Sequence, residues 1–295
     1  MQIIEQIKIT TLQEAIRLNT YCEKYVSFFQ SRKSVKKGIK NGAVLLNGQK
    51  VPGGTWLKIG DEIMILDLIQ SPPKTYHLDI PVIYEDNHLA IVNKPAGLTV
   101  SGNQFKTLAN TLRYNLIPTV EKHALSWPLP THRIDNQTSG LVIIAKTKPA
   151  RIKIGQLFEE KKIEKTYHAL AMGRLETKEG WFDSAIENKN AATAFQVISE
   201  VKSLKNEYLT LVKLKPITGR THQIRIHLSR NNTPILGDKL YSEETIQQKG
   251  LFLCANKVIF NHPITNELLN IEVPLPLKFN TRMKNEQRRW QNYHA

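Results

Sequence analysis

An acidic loop in the middle of the chain runs straight into a continuous apolar segment. The loop reads THRIDNQTSG at residues 131–140 and carries Asp135, and the apolar segment LVIIA follows at residues 141–145. A short, unbroken apolar run of this length is typical of a strand that is buried on both faces. A carboxylate at the end of such a rigid element is well placed to act as a nucleophile or a general base. On spacing alone, the alternative is a surface turn around Asp135 with Arg133 as a solvated charge.

The same loop resembles the catalytic loop of the RluA-type pseudouridine synthases, which reads His-Arg-Leu-Asp and, after two variable residues, Thr-Ser-Gly. Only Ile134 departs from that pattern, and it replaces one apolar residue by another. Further segments resemble the family's other motifs and occur in the family's order, from about Ile80 to Phe279. They read NKPAGL at residues 93–98, KTYHA at 165–169, KPITGRTHQIR at 215–225, PILGD at 234–238 and HP at 262–263. Several motifs in one order are far more specific than any single motif.

The resemblance implies an enzyme that isomerises uridines in structured RNA, either ribosomal or transfer RNA, without a metal or another cofactor. In that family the loop aspartate carries the chemistry, a strand tyrosine lies under the target base and a helix arginine points at the aspartate. The matching residues are Asp135, Tyr167 and Arg225. Neighbouring motif residues are expected to contact the substrate, with Lys94 shaping the rim of the site. These substrate contacts are Lys94, His132, Arg133, Arg220 and His222.

Each of these residues also has an ordinary structural explanation. Lys94 would be a plain surface lysine, Tyr167 a core residue of a strand, and Arg225 an exposed helix arginine in an ion pair. A second role for Tyr167, removal of a proton from the re-attached ring carbon, requires its pKa to be tuned from an ordinary value of about 10. The chain also departs from the family in two places. TVSG at residues 99–102 replaces a motif histidine, and the span between residues 180 and 195 is shorter, which leaves the identity of the RNA open.

Composition agrees with an RNA-binding protein. The chain has 41 Lys and Arg against 26 Asp and Glu, a net charge of +15. Such a surface attracts a polyanion, although a soluble basic protein with another role would share this charge. Cys22 and Cys254 lie far apart, which fits a reducing cytoplasm and excludes a disulfide framework and a cysteine-built zinc site. With no signal-peptide pattern and no apolar run of membrane-spanning length, we expect a cytoplasmic monomer without a membrane or metal partner.

Two consecutive prolines, Pro72 and Pro73, follow a strand-like segment and predict a linker. We expect an RNA-binding module over residues 1–72, a catalytic domain over residues 76–279 and a basic tail over residues 280–295. In the first module, apolar residues recur at helical spacing and predict a core stripe. This stripe consists of Leu18, Cys22, Tyr25 and Phe29.

A lysine-rich run at residues 31–40 is the main feature of the first module. Ser31 or Ser34 can cap a helix there. The order of elements resembles the RNA-binding module named after the small-subunit ribosomal protein S-four, which usually opens with Arg-Leu-Asp where this chain has Arg17-Leu18-Asn19. Cations on one helix face can follow phosphates without reading bases; the alternative is a solvated helix face. The five cations are Arg32, Lys33, Lys36, Lys37 and Lys40.

The fold class is predicted to be α+β, with a mixed, mostly antiparallel sheet in the catalytic domain, helices packed around it and a cleft along its centre, as in the family. One helix is predicted over residues 149–165. Another is predicted from about Arg220 to Arg230, with His222 and Arg225 on one face. The tail is expected to be a frayed C-terminus. Its cations and its aromatic residue are Arg282, Lys284, Arg288, Arg289 and Trp290.

Two functions from different classes fit these observations. The first is a pseudouridine synthase that acts on ribosomal or transfer RNA. The second is a non-catalytic RNA-binding or ribosome-assembly factor that has kept the synthase fold. The presence of Asp135, Tyr167 and Arg225 together favours the enzyme, because a retired site has no chemical need for all three.

Overall fold

The chain consists of two compact units, Met1–Pro72 and Pro73–Ala295, in a computed structural model that describes residues 2–26, 28–29, 31–67, 72–242 and 250–295. The boundary between the units falls between the two prolines. The predicted linker residue Ser71 lies outside the described residues. Within the described ranges, no helix is both long and apolar enough to cross a bilayer.

The N-terminal unit is a three-stranded antiparallel sheet with two helices. Its sheet has the strand order β1-β3-β2, and its core is one apolar cluster. Leu18, Cys22 and Phe29 are buried as predicted, but Tyr25 is 58% exposed. The helix ends at that residue, so the next residue, Val26, turns into the core in its place. The elements are β1 Gln2–Lys8, α1 Leu18–Tyr25, α2 Arg32–Asn41, β2 Val44–Leu46 and β3 Glu62–Asp67.

Helix α2 contains the lysine-rich run. Ser31 and Ser34 form a reciprocal capping box at its start, and Gly42 ends it in the left-handed conformation with φ +77°. Val35 is buried against the unit's core. At about 100° per residue, the five cations fall within an arc of roughly 140°, on the side of the helix that faces away from Val35. All five side chains, Arg32, Lys33, Lys36, Lys37 and Lys40, are exposed.

The C-terminal unit contains a ten-stranded sheet in the order β4-β5-β7-β12-β8-β11-β10-β9, with β13 beside β12 and β6 beside β7. Its strands are β4 Val82–Glu85, β5 Leu89–Lys94, β6 Ala124–Pro130, β7 Ser139–Thr147, β8 Glu164–Met172, β9 Glu179–Phe182, β10 Thr193–Ser203, β11 Glu207–Pro216, β12 Leu253–Asn261 and β13 Leu268–Glu272. Its helices are α3 Leu108–Asn115, α4 Lys148–Glu159, α5 Gln223–Arg230 and α6 Leu277–His294. Only the β7–β12 pair is parallel among the described strands. This confirms the predicted α+β class with a mixed, mostly antiparallel sheet.

The parallel pair is a short seam between two antiparallel half-sheets. It joins Ser139 to Cys254 and Gly140 to Ala255. Gly140 has φ +122°, and a Cβ atom there would overlap with the backbone of Ala255. Only glycine therefore allows the strands to approach so closely. The apolar segment at residues 141–145 continues from this point as the buried part of β7, as its unbroken hydrophobicity predicted.

Two predicted helix boundaries are wrong. Helix α4 ends at Glu159 instead of residue 165, because Lys161 adopts a left-handed conformation with φ +56° and the chain then enters β8. Helix α5 starts at Gln223, and His222 is its N-cap with φ +55°. His222 therefore precedes the helix body, and the expected shared helix face of His222 and Arg225 is wrong.

The predicted frayed tail is also wrong, because helix α6 runs through residues 280–294 and packs on β10. Phe279 and Met283 are buried on its inner face. Glu286 is buried as well, where it accepts a hydrogen bond from Ser203 at 2.8 Å and pairs with Arg282 at 2.9 Å. These contacts order the helix despite its many cations, so the catalytic unit extends past the expected boundary at residue 279.

Candidate active site

A cleft of about 520 Å³ lies where the two half-sheets of the C-terminal unit meet. The loop before β7 forms one wall with residues 131–135. The end of α4 and the start of β8 form the second wall, and residues 216–225 before and within α5 form the third. All three catalytic residues predicted from the sequence, Asp135, Tyr167 and Arg225, line this cleft.

Asp135 lies in the loop between β6 and β7, with 23% of its side chain exposed. Its backbone carbonyl accepts a hydrogen bond from the Thr138 amide at 3.1 Å, which holds the turn. Its two carboxylate oxygens face different partners. Oδ2 is 3.3 Å from Nη1 of Arg225, and Oδ1 is 3.7 Å from Nε2 of His222. The carboxylate is thus oriented by two groups while it stays accessible from the cleft.

Arg225 connects Asp135 to a second, fully buried carboxylate. Its Nε and Nη2 both donate to Asp238 at 2.7 Å in a bidentate pair. Burial disfavours the charge on Arg225, but the hydrogen bonds and charge of Asp238, with a smaller contribution from Asp135, raise its pKa overall. Burial likewise opposes ionisation of Asp238, and Arg225 lowers the pKa of that carboxyl. The remaining Nη1 is therefore fixed in the direction of Asp135.

Asp238 was not among the predicted site residues. The sequence carried a signal for it, since the PILGD motif at residues 234–238 ends on this residue. Gly237 has φ +81°, and a Cβ atom there would overlap with the backbone oxygen of Gly250. The turn is therefore built tightly enough to aim Asp238 inward, where its Oδ1 also accepts the backbone amides of Leu240 and Tyr241 at 3.0 and 3.3 Å.

Tyr241 is a further residue that sequence reasoning missed. Its hydroxyl is 2.9 Å from Nδ1 of His222, and its ring lies 5.1 Å from the guanidinium carbon of Arg225. It therefore contacts both groups that face Asp135. No sequence pattern distinguishes this tyrosine, because its position depends on the turn around Asp238.

Lys94 is not at the rim of the site, nor is it a surface lysine, because it is fully buried at the end of β5. Its ammonium donates to the carbonyls of Pro95 at 2.9 Å, Leu98 at 2.8 Å and Asn136 at 3.1 Å. Burial lowers its pKa to about 8, and the charge of Asp135 opposes this shift. The sequence alone predicts that a lysine at the end of a strand is exposed. Here Lys94 instead joins the loop after β5 to the loop that carries Asp135, and it cannot contact RNA.

His132 also serves the loop. Its Nε2 accepts the backbone N–H of Ile143 at 2.9 Å, and its ring packs against Phe158 with centroids 5.0 Å apart. Burial, followed by the charge of Lys165, lowers its pKa to about 3. The imidazole is therefore neutral near pH 7, and its Nε2 is already hydrogen-bonded to Ile143. The His132 side chain also lines the cleft.

Tyr167 projects from β8 into the cleft between two apolar clusters. Burial, followed by the charge of Asp135, raises the pKa of its phenol. This shift runs opposite to the one that a proton-accepting tyrosine needs. The possibility that Tyr167 acts as a base is thus disfavoured in the free protein, whereas its aromatic face is available for stacking.

Arg133 and Arg220 stand at the open side of the cleft and are both exposed. Arg220 donates from Nε to the carbonyl of Asn190 at 3.1 Å. In the described part of the chain, no carboxylate or carbonyl binds the guanidinium of Arg133. The five α2 cations belong to the N-terminal unit and are not part of this cleft.

Comparison with known proteins agrees with this geometry. Residues 88–230 match the family described as RNA pseudouridylate synthase. The ribosomal large subunit pseudouridine synthase C of Rickettsia bellii is 31% identical, over 83% of this chain and 90% of its own length. The dual-specificity RNA pseudouridine synthase RluA of Haemophilus influenzae is 35% identical, over 68% of this chain and 94% of its own length.

A solved structure shares the fold. The human RNA pseudouridylate synthase domain containing 4 superposes with a TM-score of 0.57 at 25% identity, over 70% of this chain and 92% of its own. The matches cover 90% and 94% of the lengths of the two bacterial relatives. The chain therefore belongs to the RluA-type family of RNA pseudouridine synthases, isomerases that convert uridine in RNA to pseudouridine.

Proposed function

We propose that Asp135 is the catalytic carboxylate of this synthase and that Arg225 and Tyr167 are its partners. The observation that carries the proposal is the fixed chain of charges in the cleft. Asp238 holds Arg225 in a bidentate pair, and Arg225 reaches Asp135 at 3.3 Å. A guanidinium held in this way stabilises an ionised aspartate without neutralising it by proton transfer.

The reaction breaks the bond between uracil N1 and ribose, rotates the base and rejoins it through carbon. An ionised Asp135 starts this reaction by attack on the anomeric carbon or by removal of the neighbouring ribose proton, and the arrangement serves both routes. The Tyr167 ring stacks on the detached base and keeps it in the cleft while it turns. Because the raised pKa keeps this phenol neutral, stacking is the role that its environment supports.

The target base is stacked in RNA and has to be flipped out before it reaches Asp135. Arg133 is two residues from the carboxylate, and its guanidinium is held by no partner among the described residues. It is free to enter the space that the base leaves or to hold the flipped nucleotide's phosphate. Arg220 and His222 line the opposite wall and limit where the ribose lies.

We further propose that the substrate is ribosomal RNA, as in the name of the Rickettsia relative, and that transfer RNA is the alternative. The N-terminal unit acts as an S-four-like module, and its α2 cations contact phosphates. A cytoplasmic monomer suffices for this activity, because the described residues of one chain supply every group that the cleft needs.

Mapping pseudouridines across total RNA, with and without this protein, tests the proposed function. Restoring the gene should restore specific pseudouridines, and the Asp135→Asn variant should not restore them. The amide keeps the shape of the side chain but loses the nucleophile or base, so turnover should fall by more than about a thousandfold. RNA binding should stay within a few-fold of wild type.

If the Asp135→Asn variant forms pseudouridine at a near wild-type rate, Asp135 is not the catalytic carboxylate. Identical maps with and without the wild-type protein, together with intact RNA binding, would instead support a retired RNA-binding or ribosome-assembly factor.

A further inference from the structure

Three buried or half-buried lysines of the C-terminal unit have oxygen acceptors. Lys94 has three carbonyl oxygens around its ammonium. Lys146 is 2.7 Å from Oε1 of Glu85 and also donates to a backbone carbonyl. Lys278 donates to the carbonyl of Leu251 at 2.7 Å. This pairing is expected, because a cation removed from water is costly unless acceptors replace its hydration.

Lys165 lacks such an acceptor among the described residues. Its side chain is half-buried in the cleft wall, and burial lowers its pKa. No carboxylate or carbonyl oxygen accepts from its ammonium in the described ranges. Its ammonium lies 5.7 Å from the centroid of the Phe158 ring. Within the described ranges, Lys165 is therefore a partly desolvated cation without an anion.

The position of Lys165 points to the substrate as the source of that anion. Lys165 and Tyr167 are two residues apart on β8, so their side chains leave the same face of the strand. Both line the cleft. Arg133 and Lys161 line it as well and bring further positive charge to its open side. A group that is bound beside the base stacked on Tyr167 therefore lies within reach of the Lys165 ammonium.

We propose that Lys165 binds a phosphodiester next to the target nucleotide and so fixes the flipped uridine over Tyr167 and Asp135. The inference rests on the proposed function and names one contact of the same site. A phosphodiester is the permanent anion that RNA brings to every site. A compact lysine ammonium can bind a single phosphate oxygen. It lacks the planar arrangement of donors with which an arginine guanidinium recognises the edge of a base. The competing occupant is a uracil oxygen, which becomes anionic only while the glycosidic bond is broken.

The test compares Lys165→Met, Lys165→Arg and the control Lys162→Met on a ribosomal RNA fragment that contains the mapped uridine. Methionine keeps the length of the side chain and removes the charge. Lys162 is exposed, pairs with Glu160 at 2.7 Å and does not line the cleft, so its replacement makes the same charge change elsewhere.

A phosphate contact predicts that Lys165→Met raises KM about tenfold or more and lowers the slope of log affinity against log salt by about 0.7 to 0.9. The rate at saturating RNA stays near wild type. Lys165→Arg keeps most of the affinity and the salt slope, and Lys162→Met changes neither KM nor kcat. An RNA with an uncharged methylphosphonate in place of the phosphodiester beside the target uridine should bind the wild-type protein as weakly as the natural RNA binds Lys165→Met. The Lys165→Met variant should lose little further affinity for this methylphosphonate RNA.

Two results would overturn the inference. A fall in kcat at an unchanged salt slope would assign Lys165 to the departing base. A lowered melting temperature in both Lys165 variants, with an unaffected methylphosphonate substrate, would assign it to packing. The salt slope is measured by binding alone, with large-subunit ribosomal RNA as the probe, so it can be read even if turnover is absent. Failure of the proposed function and failure of this contact are therefore distinguishable.

Discussion

The two units of the protein use positive charge in opposite ways. The α2 cations in the N-terminal unit are all exposed, and the shortest approach to a carboxylate is 3.8 Å, between Arg32 and Glu23. In the C-terminal unit, Arg225 has only 8% of its side chain exposed and is held by Asp238 and Asp135 at once. The first set of charges is solvated, whereas the second is buried and held by hydrogen bonds to two carboxylates.

This difference teaches that the number of cations matters in one region and the position of a single cation matters in the other. An exposed set contributes a summed field that attracts phosphates and is screened by salt. A buried guanidinium contributes geometry, which salt hardly affects and which a small displacement destroys. The comparison can be tested by two kinds of variant. One keeps the charge of Arg225 and changes its geometry, and the other changes the charge of the α2 lysines.

The largest of the remaining effects is expected for Arg225→Lys, which keeps the positive charge but removes the planar set of guanidinium donors. A lysine ammonium can approach Asp238 or Asp135 but cannot bridge them, so kcat should fall about 100-fold with little change in the salt slope. Arg230→Lys is the matched control, because Arg230 on the same helix makes only exposed hydrogen bonds among the described residues, to Ser184 Oγ at 3.3 Å and to the carbonyl of Ala185 at 2.7 Å. A near wild-type kcat for Arg225→Lys would remove the distinction between the two regions.

The Tyr167 variants sharpen the comparison by separating an aromatic surface from a hydroxyl. Tyr167→Phe keeps the stacking face, and we expect it to stay within a few-fold of wild type in single-turnover experiments. Tyr167→Ala removes that face, which is worth about 1 to 3 kcal/mol per stacked base, and should lose about tenfold or more. Equal, unchanged rates for both variants would show that Tyr167 is only a core residue.

Charge reversal at Lys33, Lys36 and Lys40 tests the other region. If each residue contacts a phosphate, the salt slope of RNA binding should fall by about 2 to 3, and KM should rise. The rate at saturating RNA should stay unchanged, because Asp135, Tyr167 and Arg225 all belong to the C-terminal unit. An unaltered slope would make α2 a solvated helix face.

The control for this triple reversal makes the same charge change in the same unit. Lys8, Lys50 and Lys58 are exposed and lie outside α2, and their reversal should alter the slope less. A loss of the saturating rate in the α2 variant would mean that the module helps to build the active site.

The smallest effect concerns acid stability. The folded-state pKa of His132 is about 3, against an ordinary value of 6.5, so between these values the unfolded chain binds a proton that the folded chain does not. The stability contributed by neutral His132 is present in full above pH 6.5 and is lost as the pH falls toward 3. The amide oxygen of His132→Gln can accept the same Ile143 N–H without titrating. Urea unfolding should therefore show a shallower acid loss for the variant, and parallel curves would contradict this.

The sequence predicted the family, the sheet class and, except for Lys94, site residues that line the cleft, because motif order and apolar runs are local properties of a chain. Asp135, Tyr167 and Arg225 share one cleft, while their catalytic roles stay predictions. Asp238 was missed, and Lys94 was placed at the rim of the site, for a common reason. Both residues contact partners that are distant in the chain, and a charged residue is predicted to be exposed until those partners are known.

Helix α6 shows the same limit on a larger scale. Its cations and its place at the end of the sequence indicated fraying, whereas its order depends on burial of Phe279 and on the contact between Glu286 and Ser203 of β10. The wrong boundary of α4 has a local cause, since Lys161 is a non-glycine residue in a left-handed conformation. No propensity argument predicts such a residue.

The seam between β7 and β12 has a consequence for how the enzyme becomes active. Asp135 and Lys94 come from the half-sheet on one side, and Tyr167, Arg225 and Asp238 come from the other side. Each half consists of antiparallel pairings. The seam joins Ser139 to Cys254, which are far apart in the chain, so its closure is entropically demanding. The Asp135–Arg225 ion pair spans that junction, so a chain that is half assembled has no catalytic centre. If Asp135 and Arg225 act together as proposed, activity is expected only once the two half-sheets have joined.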